Sequence, residues 1–298
     1  MQQKILILLL QFLSLLPWPI IQGVGWLIGQ VLARIPNRQR RDVLINIRLC
    51  LPQLSSQEQV RLRHKTMINF ARTYVELAAL WFWKPERVLK LVKLETNIEL
   101  LQHKPGCGII VLTPHLGAWE LAGLYMTKYQ SITSMYRPQS QHYGLLDALI
   151  LKARQRSGAI LVPDNSIGIK KLLIAIKDGQ NIGILPDQVT RETTGSVFAP
   201  FFGRPAVTML LVAGLARRSG AKVVFIFAER LPWCRGFHIR CLPAPDGIDS
   251  ADDQVAANAL NQGVENCIKH CVEQYQWTYR RFRRLPEQQP NPYNGPLI

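Results

Sequence analysis

"GIIVLTPHLGAWELAG", residues 108–123, is the stretch whose reading decides the fold. Gly108–Leu112 is a short apolar run of strand length. Pro114 disfavours helix at Thr113, the residue before it. Gly117 permits a tight passage from strand into helix, and Glu120 falls on the first turn of that helix. This order places His115 at the carboxyl end of a strand, where α/β sheets carry their reactive groups.

Were residues 115–120 all helical, the separation would turn the chain by about 500° and point His115 and Glu120 apart. With His115 on the loop and Glu120 on the helix, the two can meet. Neutral His115 then accepts a proton from an attacking hydroxyl. Glu120 holds the proton on the other ring nitrogen and stabilises the imidazolium that forms. Amides at the helix N-terminus can assist an oxyanion. A core histidine beside a helix-capping carboxylate has the same spacing, and the pattern alone leaves both readings open.

Outward from this stretch, short apolar runs alternate with helical segments. GIIVLTP (108–114), ITSMYRP (132–138), GAILVP (158–163), NIGILPD (181–187) and AKVVFIFAE (221–229) read as strands. SIGIKKLLIAIKDG (166–179) and the region around TMLLVAGLARRSG (208–220) read as helices closed by glycine. A last helix is predicted from about Ala251 to Tyr275. The alternation predicts an α/β domain, a mixed central sheet flanked by helices, over residues 96–285. Residues 36–95 read as a helical segment, with a capping signature at Ser55 or Ser56 and Glu58. Within it Glu76 and Arg72 read either as a solvated face or, for Glu76 on the apolar turn YVELAAL, as a buried charge with a partner. Residues 286–298 form a polar, Pro-rich tail.

Residues 5–33 carry no charge, and Arg34, Arg38, Arg40 and Arg41 follow. Residues 1–35 therefore read as a hydrophobic membrane anchor. A spanning helix needs about 20 apolar residues, and the stretch is long enough. Pro17 and Pro19 cut it into two pieces, so a kinked anchor or a monotopic hairpin in one leaflet competes with a span. No convincing small-x-small site marks it as a cleaved signal peptide. The arginines favour the cytoplasmic side and anionic head groups.

The 298 residues carry a net charge of +16, which predicts an anionic partner: nucleic acid, an acidic membrane face or a phosphorylated substrate. The six cysteines form no CxxC or Cys/His array and read as reduced thiols, with no metal site predicted. No GxxxxGK or GxGxxG is present. "QYQWTYRRFRRLP" interleaves Trp277, Tyr279 and Phe282 with arginines, which suits a membrane interface. It would also suit single-stranded nucleic acid, but a nucleic-acid binder has no use for residues 5–33.

Five blocks in order, "HLGAWE" (115–120), "MYRP" (135–138), "LPDQ" (185–188), "PFFGRPAVT" (200–208) and "WTYRRF" (277–282), resemble the lipid A biosynthesis acyltransferase family. The likeness runs from about residue 10 to 284. It implies the fold of the related glycerolipid acyltransferases. It also implies transfer of an acyl chain from acyl carrier protein onto a hydroxyl of a hydroxyacyl chain of a lipid A precursor. By resemblance His115 is the general base and Glu120 its partner, and Arg154 corresponds to the family's arginine. Arg137, Asp187, Gln188 and Arg204 are candidates for substrate binding. Arg137 reads equally as a structural salt bridge, and Phe201–Phe202 as plain core or as an acyl contact beside Arg204. Pro186-Asp187-Gln188, where glycerolipid enzymes carry Pro-Glu-Gly, and Glu closing the pair favour the lipid A branch.

The implied partners are acyl carrier protein, whose acidity suits the positive charge, an anionic lipid acceptor and the bacterial inner membrane, with the site facing the cytoplasm. No cofactor is implied beyond the acyl thioester cosubstrate. The alternative is the same chemistry on lysophosphatidate, an ornithine lipid or a mannosylated inositol lipid. A basic membrane or nucleic-acid binder without catalysis is a third class.

Overall fold

The computed structural model describes residues 2–102, 106, 108–136, 144–189, 195–286 and 290–294. The chain opens with helices α1 (Gln2–Ser14), α2 (Trp18–Arg34), α3 (Arg38–Cys50), α4 (Ser56–Phe82) and the short α5 (Pro85–Leu89). Then follow β1 (Val92–Thr96), β2 (Ile109–Leu112), α6 (Trp119–Met126), β3 (Ile132–Tyr136), α7 (Gly144–Gln155), β4 (Ile160–Pro163), α8 (Ser166–Lys177) and β5 (Asn181–Ile184). A hairpin of β6 (Ser196–Phe201) and β7 (Arg204–Met209) leads through α9 (Leu211–Ser219) to β8 (Lys222–Arg230), β9 (Phe237–Pro243) and α10 (Asp253–Ile268).

The main sheet has the order β1-β9-β8-β2-β5-β3-β4. All neighbours are parallel except β8 and β9, which form an antiparallel pair. It is the mixed central sheet flanked by helices that the alternation predicts. Strand β2 lies inside it, paired to β5 and β8, and is buried on both faces. Ile110 and Leu112 enter one apolar cluster with α8, α9 and α10; Ile109 and Val111 enter the other with α1, α4 and α6. That period-two division is why GIIVL reads as an uninterrupted apolar run.

Four strands escape the sequence reading: β1, β6, β7 and β9. β1 (VKLET) lies at the sheet edge and is largely exposed, so it lacks an apolar signature. The last helix also ends earlier than predicted, at Ile268, and the chain turns through a 3-10 segment at 272–274. That turn brings residues 275–282 back onto the body. Trp277 and Phe282 are 1% and 2% exposed, Arg281 donates to Val207 O, and Arg280 Nε donates to Asp42 at 2.7 Å. The stretch predicted to meet a membrane interface is therefore a buried strap.

Pro17 ends the first helix and starts the second, so the apolar N-terminus becomes two helices of 13 and 17 residues. At about 1.5 Å per residue the longer spans roughly 25 Å, short of the ~30 Å hydrocarbon core. Among the described residues no helix is long and apolar enough to cross a membrane. Helix α2 instead packs along α4. A Cβ at Gly29 would lie 2.5 Å from Ile68 Cα, and one at Gly25 2.8 Å from Arg72 Cα, so glycine is what permits this approach. The contact is locked by fully buried Glu76, which accepts from Gln22 Nε2 (3.0 Å), Arg230 Nε (3.0 Å) and Arg230 Nη2 (2.6 Å). Glu76 is thus the buried charge with a partner, not a solvated face.

Candidate active site

The site forms where β2 and β5 end side by side. After Leu112 the chain runs through Thr113 and Pro114 to His115, and α6 begins at Trp119. Gly117 has φ +59, and a Cβ there would sit 2.0 Å from Ala228 O, so only glycine fits. Ala118 N donates to the same Ala228 O (2.9 Å), Gly117 N to Gln274 O (3.1 Å), and Gln276 N to His115 O (3.0 Å). The histidine loop is thereby clamped between β8 and the C-terminal strap.

His115 stands on the loop and Glu120 on the first turn of α6, as the stretch predicts. The two are not hydrogen-bonded to one another here, although His115 lies near enough for its charge to help hold the Glu120 carboxyl down. His115 Nδ1 lies 2.8 Å from Asp187 Oδ1, and the His115 backbone N–H donates to Asp187 Oδ2 at 3.0 Å. One carboxylate thus holds both the ring and the main chain of the histidine. Asp187 is 3% exposed. Burial pushes its carboxyl up, but the charge and hydrogen bonds of His115 outweigh burial and hold it below its ordinary value. Tyr275 stands against the same carboxylate. Burial, then the Asp187 charge, raise its phenol well above the ordinary range.

Glu120 is claimed by Arg154 of α7, whose Nε donates to Oε2 at 3.1 Å and whose Nη2 donates to Oε1. Burial pushes Glu120 up, and the Arg154 charge and hydrogen bonds override it, so the carboxyl is held low. The guanidinium, pushed down by burial, is held above its ordinary value by the same pair. Glu120 is thus committed to Arg154, while Asp187 is the carboxylate in contact with Nδ1 of His115.

Gln188 Nε2 donates to Gln276 Oε1 at 3.1 Å, which ties the turn after β5 to the strap. Arg204 sits exposed at the head of β7, on the separate hairpin, and is not among the residues gathered at His115. Phe201 is core, 1% exposed and packed on Tyr275 and Phe282. Arg137 lies outside the described residues.

Beside the pair Glu120–Arg154 opens a cavity of about 90 Å³. Its walls are largely apolar, with Leu80, Leu124, Ile132, Leu161 and Ile184 contributing, and Gly123 on the floor of α6. Thr113 and Trp119 line it on the histidine side, and the Trp119 ring lies 5.2 Å from the His115 ring. Arg156, also lining it, donates to Leu80 O and Trp81 O and so closes the C-terminus of α4. Trp119, Tyr275 and Arg156 were not singled out from the sequence. Trp119 lies inside the HLGAWE block and was legible there; Tyr275 and Arg156 carry no local signal.

Helices flank the mixed sheet on both faces, and at its carboxyl edge a histidine is held by a carboxylate beside an apolar cavity, which makes this the candidate active site. The model of the bacterial lipid A biosynthesis acyltransferase family matches residues 3–284. The chain is 29% identical to the lipid A biosynthesis lauroyltransferase of Escherichia coli K12 over 282 residues, covering 93% of this chain and 90% of that one. It is 29% identical to the palmitoleoyltransferase of the same organism (91% and 87% covered) and 25% identical to the myristoyltransferase (89% and 82%). This chain belongs to the bacterial lipid A biosynthesis acyltransferase family.

Proposed function

We propose that this protein moves a fatty acyl chain from acyl carrier protein to a hydroxyl of a hydroxyacyl chain on a lipid A precursor, Kdo2-lipid IVA or its acylated product. The observation that carries the reading is His115, fixed through Nδ1 by Asp187, beside an apolar cavity whose lining includes the Glu120–Arg154 pair.

With Nδ1 committed to Asp187, Nε2 is the nitrogen left to accept the proton of the acceptor hydroxyl. The freed oxygen attacks the thioester carbonyl, and the C–S bond breaks. His115 returns the proton to the departing thiolate. Asp187 stabilises the imidazolium in between. The acyl chain occupies the apolar cavity. Arg154, oriented by Glu120, supplies positive charge where the oxyanion or the acceptor phosphate develops. The chemistry calls on no cofactor beyond the acyl thioester. Gln188 supports the loop, and Arg204 and the surplus of cations suit an acidic carrier and an anionic lipid.

The exposed apolar side chains of α1 and α2 support a reading in which the enzyme docks in one leaflet of the bacterial inner membrane, with its site facing the cytoplasm. The test offers membranes containing the protein a series of acyl carrier protein thioesters, decanoyl through palmitoyl, with the tetra-acylated precursor, and reads products by mass. One added acyl group, lost in His115→Ala, is the expected result. Full transfer by that variant would end the proposal; turnover without the lipid A product would move the acceptor to another lipid.

A further inference from the structure

The β8–β9 connection carries the most exposed large apolar side chain among the described residues. Trp233 is 89% exposed, more than Leu15 (79%) in the turn between α1 and α2. The connection is tightly built rather than loose. Leu231 N donates to Gly236 O at 2.9 Å. Gly236 has φ +96, and a Cβ there would lie 2.1 Å from Leu91 O. Trp233 and Cys234 both adopt left-handed backbone, φ 59 and 57, which side chains other than glycine rarely take. The fold accepts strain at two residues and points an indole into solvent as a result.

This turn and the α1–α2 turn are one surface. The Trp18 indole N–H, at the start of α2, donates to Cys234 O at 3.0 Å. Trp83 Nε1 donates to Ser14 O at 2.6 Å, and the Arg87 guanidinium lies 3.6 Å above the Trp83 ring. Leu15 and Trp233 thus lie on connections that these bonds tie to one another, and Lys84, Glu86, Arg87 and Arg235 on the same connections are exposed. An exposed amphipathic indole and an exposed leucine on connected turns, with three exposed cations against Glu86, suit the boundary between head groups and acyl chains of an anionic leaflet.

We propose that the Trp233 turn, remote in sequence from α1 and α2, is a further membrane contact that extends the α1–α2 surface and inserts into an anionic leaflet. The proposal rests on the membrane reading given above.

The test is flotation of the full-length protein with phosphatidylethanolamine vesicles containing phosphatidylglycerol, and with phosphatidylcholine vesicles. Trp233→Ser is expected to bind the anionic vesicles roughly tenfold more weakly, with most affinity restored in Trp233→Phe. Arg235→Glu is expected to weaken binding to anionic vesicles only. Brominated lipids are expected to quench wild-type emission more than that of Trp233→Phe. Thioester turnover with detergent-dispersed acceptor should match wild type in all three variants. Wild-type binding by Trp233→Ser, with no quenching difference, would overturn this inference and leave a membrane contact through α1 and α2, read by Leu27→Gln and Val31→Gln. Failure of the wild type to float would remove both. A lipid-free dimer that Trp233→Ser dissociates would also overturn it, by assigning the tip to self-association.

Discussion

Asp187 reaches His115 twice, with Oδ1 2.8 Å from Nδ1 and Oδ2 3.0 Å from the backbone nitrogen. Asp187→Asn keeps the shape but removes the charge that, in the proposed mechanism, stabilises an imidazolium. Acyl transfer should fall by about 10²–10⁴-fold with little change in apparent acceptor binding. Single-turnover kinetics check this. A change confined to KM would assign Asp187 to substrate binding instead.

The acid limb of stability should depend on Asp187 and Glu120. Both carboxyls are held below their ordinary values, 3.8 and 4.5, in the folded protein. Between the lowered and ordinary values the unfolded chain binds more protons, so acid favours unfolding there. Their stabilisation is complete above the ordinary values and is lost as pH falls through the native ones. Urea midpoints measured down this range should drop steeply for wild type and less steeply for Asp187→Asn and Glu120→Gln.

Gly123 lines the cavity, and a Cβ there meets nothing within 4 Å. Gly123→Leu should fill part of the space and shift acyl preference toward shorter chains. Gly123→Ala should leave the preference nearly unchanged and stabilise α6 by about 0.5–1 kcal/mol. Competition among mixed acyl thioesters, read by product mass, reports the first; thermal melting reports the second.

Glu76 has no solvent exposure and joins α4 to Gln22 of α2 and Arg230 of β8. Glu76→Ala leaves a buried guanidinium without its counter-ion and should cost about 3–5 kcal/mol. Limited proteolysis should then cut first between α2 and α3, since α2 loses its polar lock.

Much of the fold is legible because strands buried on both faces have to be apolar throughout. Ile109–Leu112 shows this, and residues 223–228 of β8 (VVFIFA), all buried, repeat it. β1 and β9 are less legible: VKLET is largely exposed at the sheet edge, and FHIRCLP carries polar residues at its alternate positions. The strap at 275–282 misleads for a related reason. Aromatics and arginines in one stretch look interfacial, yet here they fill a core and bind backbone oxygens such as Val207 O.

The sequence by itself determined where the candidate histidine, His115, sits. Pro114 and Gly117 force a loop between strand and helix, and that constraint is local. It also supplied both carboxylates and Arg154 as candidates. Which carboxylate meets the imidazole was decided only by tertiary structure. β5 lies beside β2, so Asp187 arrives next to His115 from 72 residues away, while Arg154 on α7 draws Glu120 to itself. The fate of the apolar N-terminus was decided the same way. Its composition permits a membrane span, but Pro17 divides it, and the glycines of α2 and the Glu76–Arg230 pair hold it against α4.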